Sequence, residues 1–509
     1  MKDEVLWPRA RFDGATFPPL AADIEVDVAI VGGGIAGLAA AHALAGSHRV
    51  AVLEALTIGG QATGRSTAKA TSQHGPIYRG LISDIGEDAA RAYAEANEAA
   101  VAWIVGMAGS EAETVARADA HTWAETEAEA DDLRAEAEAA RRLGLPAVFE
   151  PAVDMPFPCH GLLSFANQAQ MNPYLFLRTL AEGLRGRVAV HEGTRVVSVE
   201  HGEPCVLKTD RHTIRARWAI VATQLPTVPE GNFFTKAYPH AHPVVAARID
   251  GGTVPAGMYI SAGSPTRSFR SARVAGENWV VATGAPFRPG ESEAQAEAFA
   301  GLAGFLRDVF KLAPEMRWVN EDFHPMDGLP FVGAATAKTP NLLVATGFDA
   351  WGITQGVVAG QILGETVNGN SHPLAPVFDA SRLRPLKGAG SFVTENAKAG
   401  IQMVRDRALR SRVLPLEDIG PGGGGIVSHD GRQVAVSRDA GGSVTAVSAI
   451  CTHLGCVVGW NGVDRTWDCP CHGSRFTASG EVLAGPAVAP LETVDLPPEA
   501  GRATAKGDG

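Results

Sequence analysis

The 509-residue chain is poor in cysteine, short of positive charge and without a long uninterrupted apolar run. Forty-four Lys and Arg stand against 56 Asp and Glu, a formal net charge of -12. That balance disfavours the nonspecific phosphate attraction used by basic nucleic-acid binders, so nucleic acid is not an expected partner. Apolar stretches such as Val28 to Gly46 are broken by turn-forming glycines and read as a strand entering a helix, so no transmembrane segment is expected. Met1 to Leu20 carries Lys2, Asp3, Glu4, Arg9, Arg11 and three prolines and has no apolar core of signal-peptide length. The expectation is a soluble, cytoplasmic protein. No repeat of solenoid period is present. Of the six cysteines, Cys159 and Cys205 stand alone and Cys451, Cys456, Cys469 and Cys471 crowd into one short segment. Without a secretory signal, that clustering favours a metal site over an extracellular disulfide scaffold.

What is there suits a globular chain: 45% hydrophobic and 20% charged residues, with length enough for two or three domains. Ile24 to Glu54 reads as strand, glycine turn, helix, strand. From about Ile85 to Leu145 the composition turns to Ala, Glu and Arg, and helices are expected, their mixed charges read as a solvated surface. Strand-like alternation returns over Arg187 to Thr223, and Pro243 to Gly284 offers strands for a second sheet. A helix-like segment ends at Val404 to Arg412, glycines from Gly420 to Gly425 follow, and strand and turn dominate beyond Leu416. The expected division is a large first unit over 1–385, a linker over 386–412 and a small all-β domain over 413–500. Within the first, cofactor-binding parts are expected at about 24–80, 185–230 and 325–385, and helical or substrate parts at about 85–180 and 235–320.

Gly32, Gly34 and Gly37 form G-x-G-x-x-G after a strand and at a helix start, and Glu54 follows Gly34 by 20 residues at the end of the next strand. Glycines there allow a tight turn and close backbone approach to a pyrophosphate at the helix N-terminus, with Ile35 and Ala36 in its first turn, while the carboxylate can accept from ribose hydroxyls. The motif alone does not choose between FAD and NAD. The surrounding segments resemble the glycine/sarcosine/D-amino acid oxidase family of flavoproteins. Gly59 to Thr71, with Arg65, Ser66, Thr67 and Lys69, resembles the family's loop that reaches the flavin. Asn172-Pro173 resembles its helix-opening pair, Thr194-Arg195-Val196 the strand that touches the adenine, and Ala222-Thr223 a late strand end beside the cofactor. Asp327-Gly328-Leu329-Pro330-Phe331-Val332-Gly333 is similar to D-G-x-P-x-x-G. Ala345-Thr346-Gly347 and Gly352-Ile353-Thr354 follow, the latter at a helix start that in the family points at the flavin pyrimidine ring. The resemblance spans Ile24 to Arg382 and implies an α/β Rossmann-type FAD domain with a mixed-sheet substrate domain and non-covalent FAD. The family's A-T-G is here Ala222-Thr223-Gln224, so the local loop is expected to differ.

Near the C-terminus Cys451 and His453 form C-x-H, fifteen residues intervene, and Cys469 and His472 form C-x-x-H. Two thiolates suit one iron and two imidazoles the other, the ligation of a Rieske [2Fe–2S] cluster. A structural zinc site is the alternative, although zinc usually takes a Cys pair followed by a His pair. The segment from about Leu416 to Leu496 resembles respiratory and photosynthetic Rieske proteins. That resemblance implies a disulfide between Cys456 and Cys471, and a covering proline loop at Gly485-Pro486-Ala487. It also implies a serine donor at Ser474, with Phe476 where those proteins place a second donor, a tyrosine.

A flavin beside a one-electron cluster points to an FAD-dependent dehydrogenase for an amine or amino acid, passing electrons to an external one-electron acceptor. Two alternatives stand: a reductase drawing on an external donor, and a redox sensor without turnover. Lys69, His74 and Trp351 are the candidate catalytic residues, and Arg267 or Arg270 could hold a substrate carboxylate.

Overall fold

A computed structural model describes residues 1–109, 113–251, 254–382 and 413–496. The expected linker, with its helix-like segment, lies outside the described residues.

The first sheet is built on β1 (Ile24–Val31), which leads through the glycine turn into α1 (Ile35–Leu44) and back to β2 (Val50–Leu53). Its core is parallel: Ala189–His191, β2, β1, β3 (Thr213–Val221), and later the strand Leu342–Thr346. Val28 to Val31 and Val50 to Leu53 are buried throughout, as strands covered on both faces must be. Helix Gly352–Val367 packs along α1. Its Gly356, Gly360 and Gly364 make the approach possible, because an added Cβ would lie 2.7 Å from Ile35, 2.6 Å from Ala39 and 2.6 Å from Ala43. The close contact brings the start of that helix beside the glycine turn.

A second, ten-stranded mixed sheet contains β4 (Ala237–Arg248) and β5 (Met316–Pro325), antiparallel over ten residue pairs from Ala237 opposite Pro325 to Ala246 opposite Met316. The expected all-helical stretch after Ile85 is only partly helical. Glu87–Met107 and Glu127–Arg142 are helices, but Val115–Ala124 between them is a strand of this sheet, paired with Gly161–Met171 and Met258–Ser261. Val115, His121, Thr122 and Trp123 favour a pleated, half-buried surface, and the alanines around them hid that preference.

The C-terminal domain is all-β. One antiparallel sheet joins Gly424–His429, Arg432–Arg438 and Val444–Ser448, and the other Gly459–Asn461, Thr466–Asp468, Arg475–Thr477 and Val482–Ala484. Their core holds Trp467, Phe476, Val447, Val458 and the four clustered cysteines.

Candidate cofactor sites and the cavity between them

A cavity of about 510 Å³ runs from the glycine turn to β4 and β5. At one end, Gly32 leaves β1 with φ 110°, where a side chain would be strained and its Cβ would lie 2.5 Å from the Ala222 carbonyl oxygen. Gly34 precedes α1 without a capping side chain, and no acid occupies the first turn, so the amide end of the helix dipole is open to an anion apart from Thr63 Oγ1, 3.4 Å from the Ile35 amide. Glu54 is buried and accepts from the Gly33 amide at 2.8 Å and the Leu56 amide at 2.9 Å. Burial raises its pKa against those bonds. Gly32, Gly34, Ile35, Ala36, Glu54, Arg195, Val196 and Thr223 line this end. Gly37 does not, but a Cβ on it would strike the Gly32 carbonyl at 2.0 Å, so its role is to let helix and turn meet. Thr194 to Val196, expected as a strand, is irregular, although Arg195 and Val196 reach the cavity.

At the other end Ser66, Thr67, Lys69, Gly347, Trp351, Gly352 and Ile353 line the wall. Lys69 Nζ donates to the Tyr259 carbonyl at 2.6 Å and to Ser268 Oγ, and burial, helped by Arg270, pushes its pKa well down. Several expected residues lie off the cavity. His74 is buried behind Trp351, whose ring stacks on it at 4.9 Å, and is held by Tyr93 at 2.6 Å and Thr354 Oγ1 at 2.9 Å. Burial lowers its pKa to about 3. Thr354 is thereby committed to His74 and the Thr71 carbonyl. Gly328 occupies a left-handed turn away from the lining residues. Arg267 is paired with Glu125 at 2.6 Å, Arg270 donates to the carbonyls of Thr67, Ser271 and Met171, and neither is among the residues that line the cavity. Arg65 turns to the C-terminal domain, donating to Asp464 at 2.5 Å and to the Val319 carbonyl at 2.9 Å.

In the C-terminal domain the loops carrying Cys451 and His453, and Cys469 and His472, come together. The imidazole rings are 5.0 Å apart and nearly perpendicular. Cys456 and Cys471 form a disulfide, and the Cys469 sulfur lies within 4.8 Å of both. Hydrogen bonding between Cys451 and Cys469 lowers the first thiol and raises the second. Burial holds His453 near 4 and His472 near 3, so both imidazoles are neutral. His453 Nδ1 and His472 Nδ1 are buried and have no hydrogen-bond partner among the described residues. Buried polar atoms are rarely left so, and two such nitrogens beside two unbridged thiols are what a bound cluster would use.

The two regions meet. Leu483, Ala484, Gly485, Ala487 and Val488 of the C-terminal domain form part of the cavity wall. Phe234 stands edge-on to His453 at 5.3 Å and to His472 at 5.4 Å. Arg475 binds Asp464 at 2.6 Å and Asp468 at 3.1 Å, and lies 3.7 Å from Glu321 of β5.

Residues 27–366 match DAO, the FAD dependent oxidoreductase family, and residues 411–495 match the Rieske [2Fe-2S] domain. The chain belongs to the DAO family of FAD-dependent oxidoreductases, with a C-terminal Rieske domain. It is 33% identical over 504 residues to a Bacillus subtilis Rieske 2Fe-2S iron-sulfur protein, YhfW, covering 97% of this chain and 98% of that one. The cytochrome b6-f complex iron-sulfur subunit of Chlorobaculum tepidum is 42% identical over 90 residues, 18% of this chain and 49% of the subunit. In structure, the oxidoreductase part is similar to glycine oxidase from Geobacillus kaustophilus, with a TM-score of 0.58 and 21% identity over 71% of this chain and 99% of that one. L-proline dehydrogenase from P. horikoshii gives 0.60 and 15% over 71% and 98%. The cofactors of the two domains are FAD and a [2Fe–2S] cluster. The open amide turn with its buried Glu54, and the orphaned imidazole nitrogens beside two thiols, fit them.

Sequence reasoning missed the acid and imidazole wall where β4 and β5 reach the cavity: His242, His324, Asp322 and Asp349. The signal was there in the alternation of His240 with His242 and of Asp322 with His324, which puts each pair on one face of its strand. No helix among the described residues is long and apolar enough to cross a membrane.

Proposed function

We propose that this oxidoreductase is a dehydrogenase of an amine or amino-acid-like substrate that exchanges single electrons between FAD and the Rieske cluster, for delivery to an external acceptor. The observation that carries this reading is the shared wall: Leu483, Ala484, Gly485, Ala487 and Val488 of the Rieske domain line the same cavity as the dinucleotide motif. FAD takes two electrons as a hydride and the cluster carries one at a time, so their proximity divides a two-electron oxidation into single-electron steps. On this reading Cys451, His453, Cys469 and His472 are the cluster ligands. The glycine turn and Glu54 hold the adenosine diphosphate part, and Lys69 and Trp351 flank the reacting end. Named relatives act on glycine and L-proline, which supports a C–N substrate.

The test is anaerobic mixing of the purified holoprotein with a broad panel of amines and amino acids. Bleaching of the flavin absorption, followed by the electron paramagnetic resonance signal of a reduced [2Fe–2S] cluster, is the expected result. A flavin that no member reduces, but that an external reductant reduces through the cluster, would reverse the direction of flow.

A further inference from the structure

Ionisable side chains gather where β4 and β5 meet the cavity. The strands' register sets Tyr238 opposite His324, His240 opposite Asp322 and His242 opposite Asn320. Alternation along each strand turns all six to one face. His324, His242, Asp322 and Asn320 line the cavity, together with Asp349 and Trp351 from the segment that enters helix Gly352–Val367.

Within the group one pair is organised. His324 Nδ1 is hydrogen-bonded to the Asp349 carboxylate, while His324 Nε2 is buried without a partner among the described residues. The His240 ring packs on His324 at 4.1 Å and fixes its plane. Asp349 is held in place at a cost: it and Ala350 are consecutive non-glycine residues at φ 50° and 66°. Such strain persists only where surrounding bonds impose it. Here the Asp349 amide donates to the Phe323 carbonyl at 3.3 Å, and the Ala350 amide donates to Asp322. β5 thus supplies the imidazole and also the two anchors that bring the carboxylate to it.

We propose that His324 is the proton acceptor for the substrate, oriented by Asp349, with Asp322 positioning the strained turn. A carboxylate on one ring nitrogen fixes the tautomer, leaving the lone pair of the other without a partner among the described residues, on a ring that lines the cavity. The step moves one proton: a substrate ammonium gives H⁺ to neutral His324, leaving the free amine and an imidazolium paired with Asp349. The electron pair freed on nitrogen is what a later loss of hydride from the adjacent carbon requires. This rests on the amine reading above.

The charge environment supports the role. Burial disfavours the His324 cation, but Asp349 and Asp322 outweigh it and raise its pKa above the ordinary value. His242, near 4, and His240, near 3 with Arg288 also facing it, are neutral and do not compete for the proton. Proton acceptance needs neutral His324, so kcat/KM should rise with pH through its pKa.

The experiment compares wild type, His324→Gln and Asp349→Asn as FAD- and cluster-loaded protein. With an amine that reduces the wild-type flavin, His324→Gln should lower kcat by roughly a hundredfold or more and abolish the acidic limb. Asp349→Asn should move that limb down by about one pH unit. A kcat within about threefold of wild type in His324→Gln, or a limb that stays in place in Asp349→Asn, overturns the proposal. A second readout needs no substrate: the visible spectrum of bound FAD, titrated from about pH 5 to 9, should show a transition that His324→Gln removes and Asp349→Asn shifts down. If no amine reduces the flavin, the functional reading fails, and this titration still judges His324. A spectrum without that transition, or one that keeps it in His324→Gln, removes the titrating imidazole from the cavity and overturns the proposal.

Discussion

Arg65 and Asp464, 399 residues apart in sequence, meet at 2.5 Å across the boundary between the two domains, with 17% and 10% of their side chains exposed. Asp464 is also bound by Arg475, so one carboxylate ties the loop after the dinucleotide motif to the Rieske domain's own ion network. Removing one partner of a buried pair costs about 3–5 kcal/mol when the other is left bare. Asp464 keeps Arg475, so Arg65→Met should cost less, about 1–3 kcal/mol. The loss should fall on the docking of the domains. Calorimetry of the loaded protein should show the Rieske transition separating to lower temperature in Arg65→Met. A thermogram identical to wild type would show that the pair contributes nothing to docking.

Glu321 faces the same network from the other side. Burial raises its pKa well above the ordinary value, more than Arg475 lowers it, and its Oε1 has no partner among the described residues. A carboxyl whose pKa is higher folded than unfolded opposes folding as pH rises through the range between the two values and above it. Glu321→Gln should therefore be more stable than wild type at alkaline pH, with the advantage fading towards pH 4. Chemical denaturation at several pH values checks this, and a variant less stable than wild type throughout would show that the charge is needed by Arg475.

On the proposed direction of electron flow, the cluster takes electrons from the reduced flavin ahead of dissolved oxygen. With substrate present, ferricyanide should be reduced much faster than oxygen. Stopped-flow mixing of the substrate-reduced protein with each acceptor measures this. Peroxide formation that keeps pace with substrate turnover would identify a simple oxidase and remove the electron-exit role of the Rieske domain.

Ser474 Oγ accepts from the Ala487 amide at 3.0 Å and lies close enough to lower the Cys451 thiol. Phe476 is wholly buried among the cluster cysteines and has no donor to offer. Hydrogen bonds to the cluster stabilise its reduced state, and Rieske potentials span roughly -150 to +300 mV. The wild-type midpoint should lie in the intermediate part of that range. Phe476→Tyr should raise it by an amount on the order of 60 mV, the equivalent of one hydrogen bond of about 1.4 kcal/mol in a one-electron couple. Redox titration of both proteins decides it, and an unchanged or lower value in the variant refutes the account.

Contiguous chemistry was legible in the sequence by itself. The glycine turn with Glu54, and the paired Cys/His loops, are motifs whose backbone and ligand demands are met within a few residues, so their spacing carries the chemistry. Apolar runs and alternation likewise marked β1, β2 and strands within Arg187 to Thr223 and Pro243 to Gly284, but not Gly161–Met171 or β5, nor Val115–Ala124, where alanines masked the β-forming residues. Tertiary structure alone decided where long side chains end. Arg65 sits in the flavin-side loop but serves Asp464, Arg270 is committed to three carbonyls, and His74 lies behind Trp351. His324 and Asp349 become a pair only because an antiparallel register and a strained turn bring together residues from a strand and a helix entrance. The reason is physical: a local motif fixes backbone conformation, but the partner of a buried charge is whatever opposite charge or carbonyl the packing of distant segments leaves within reach.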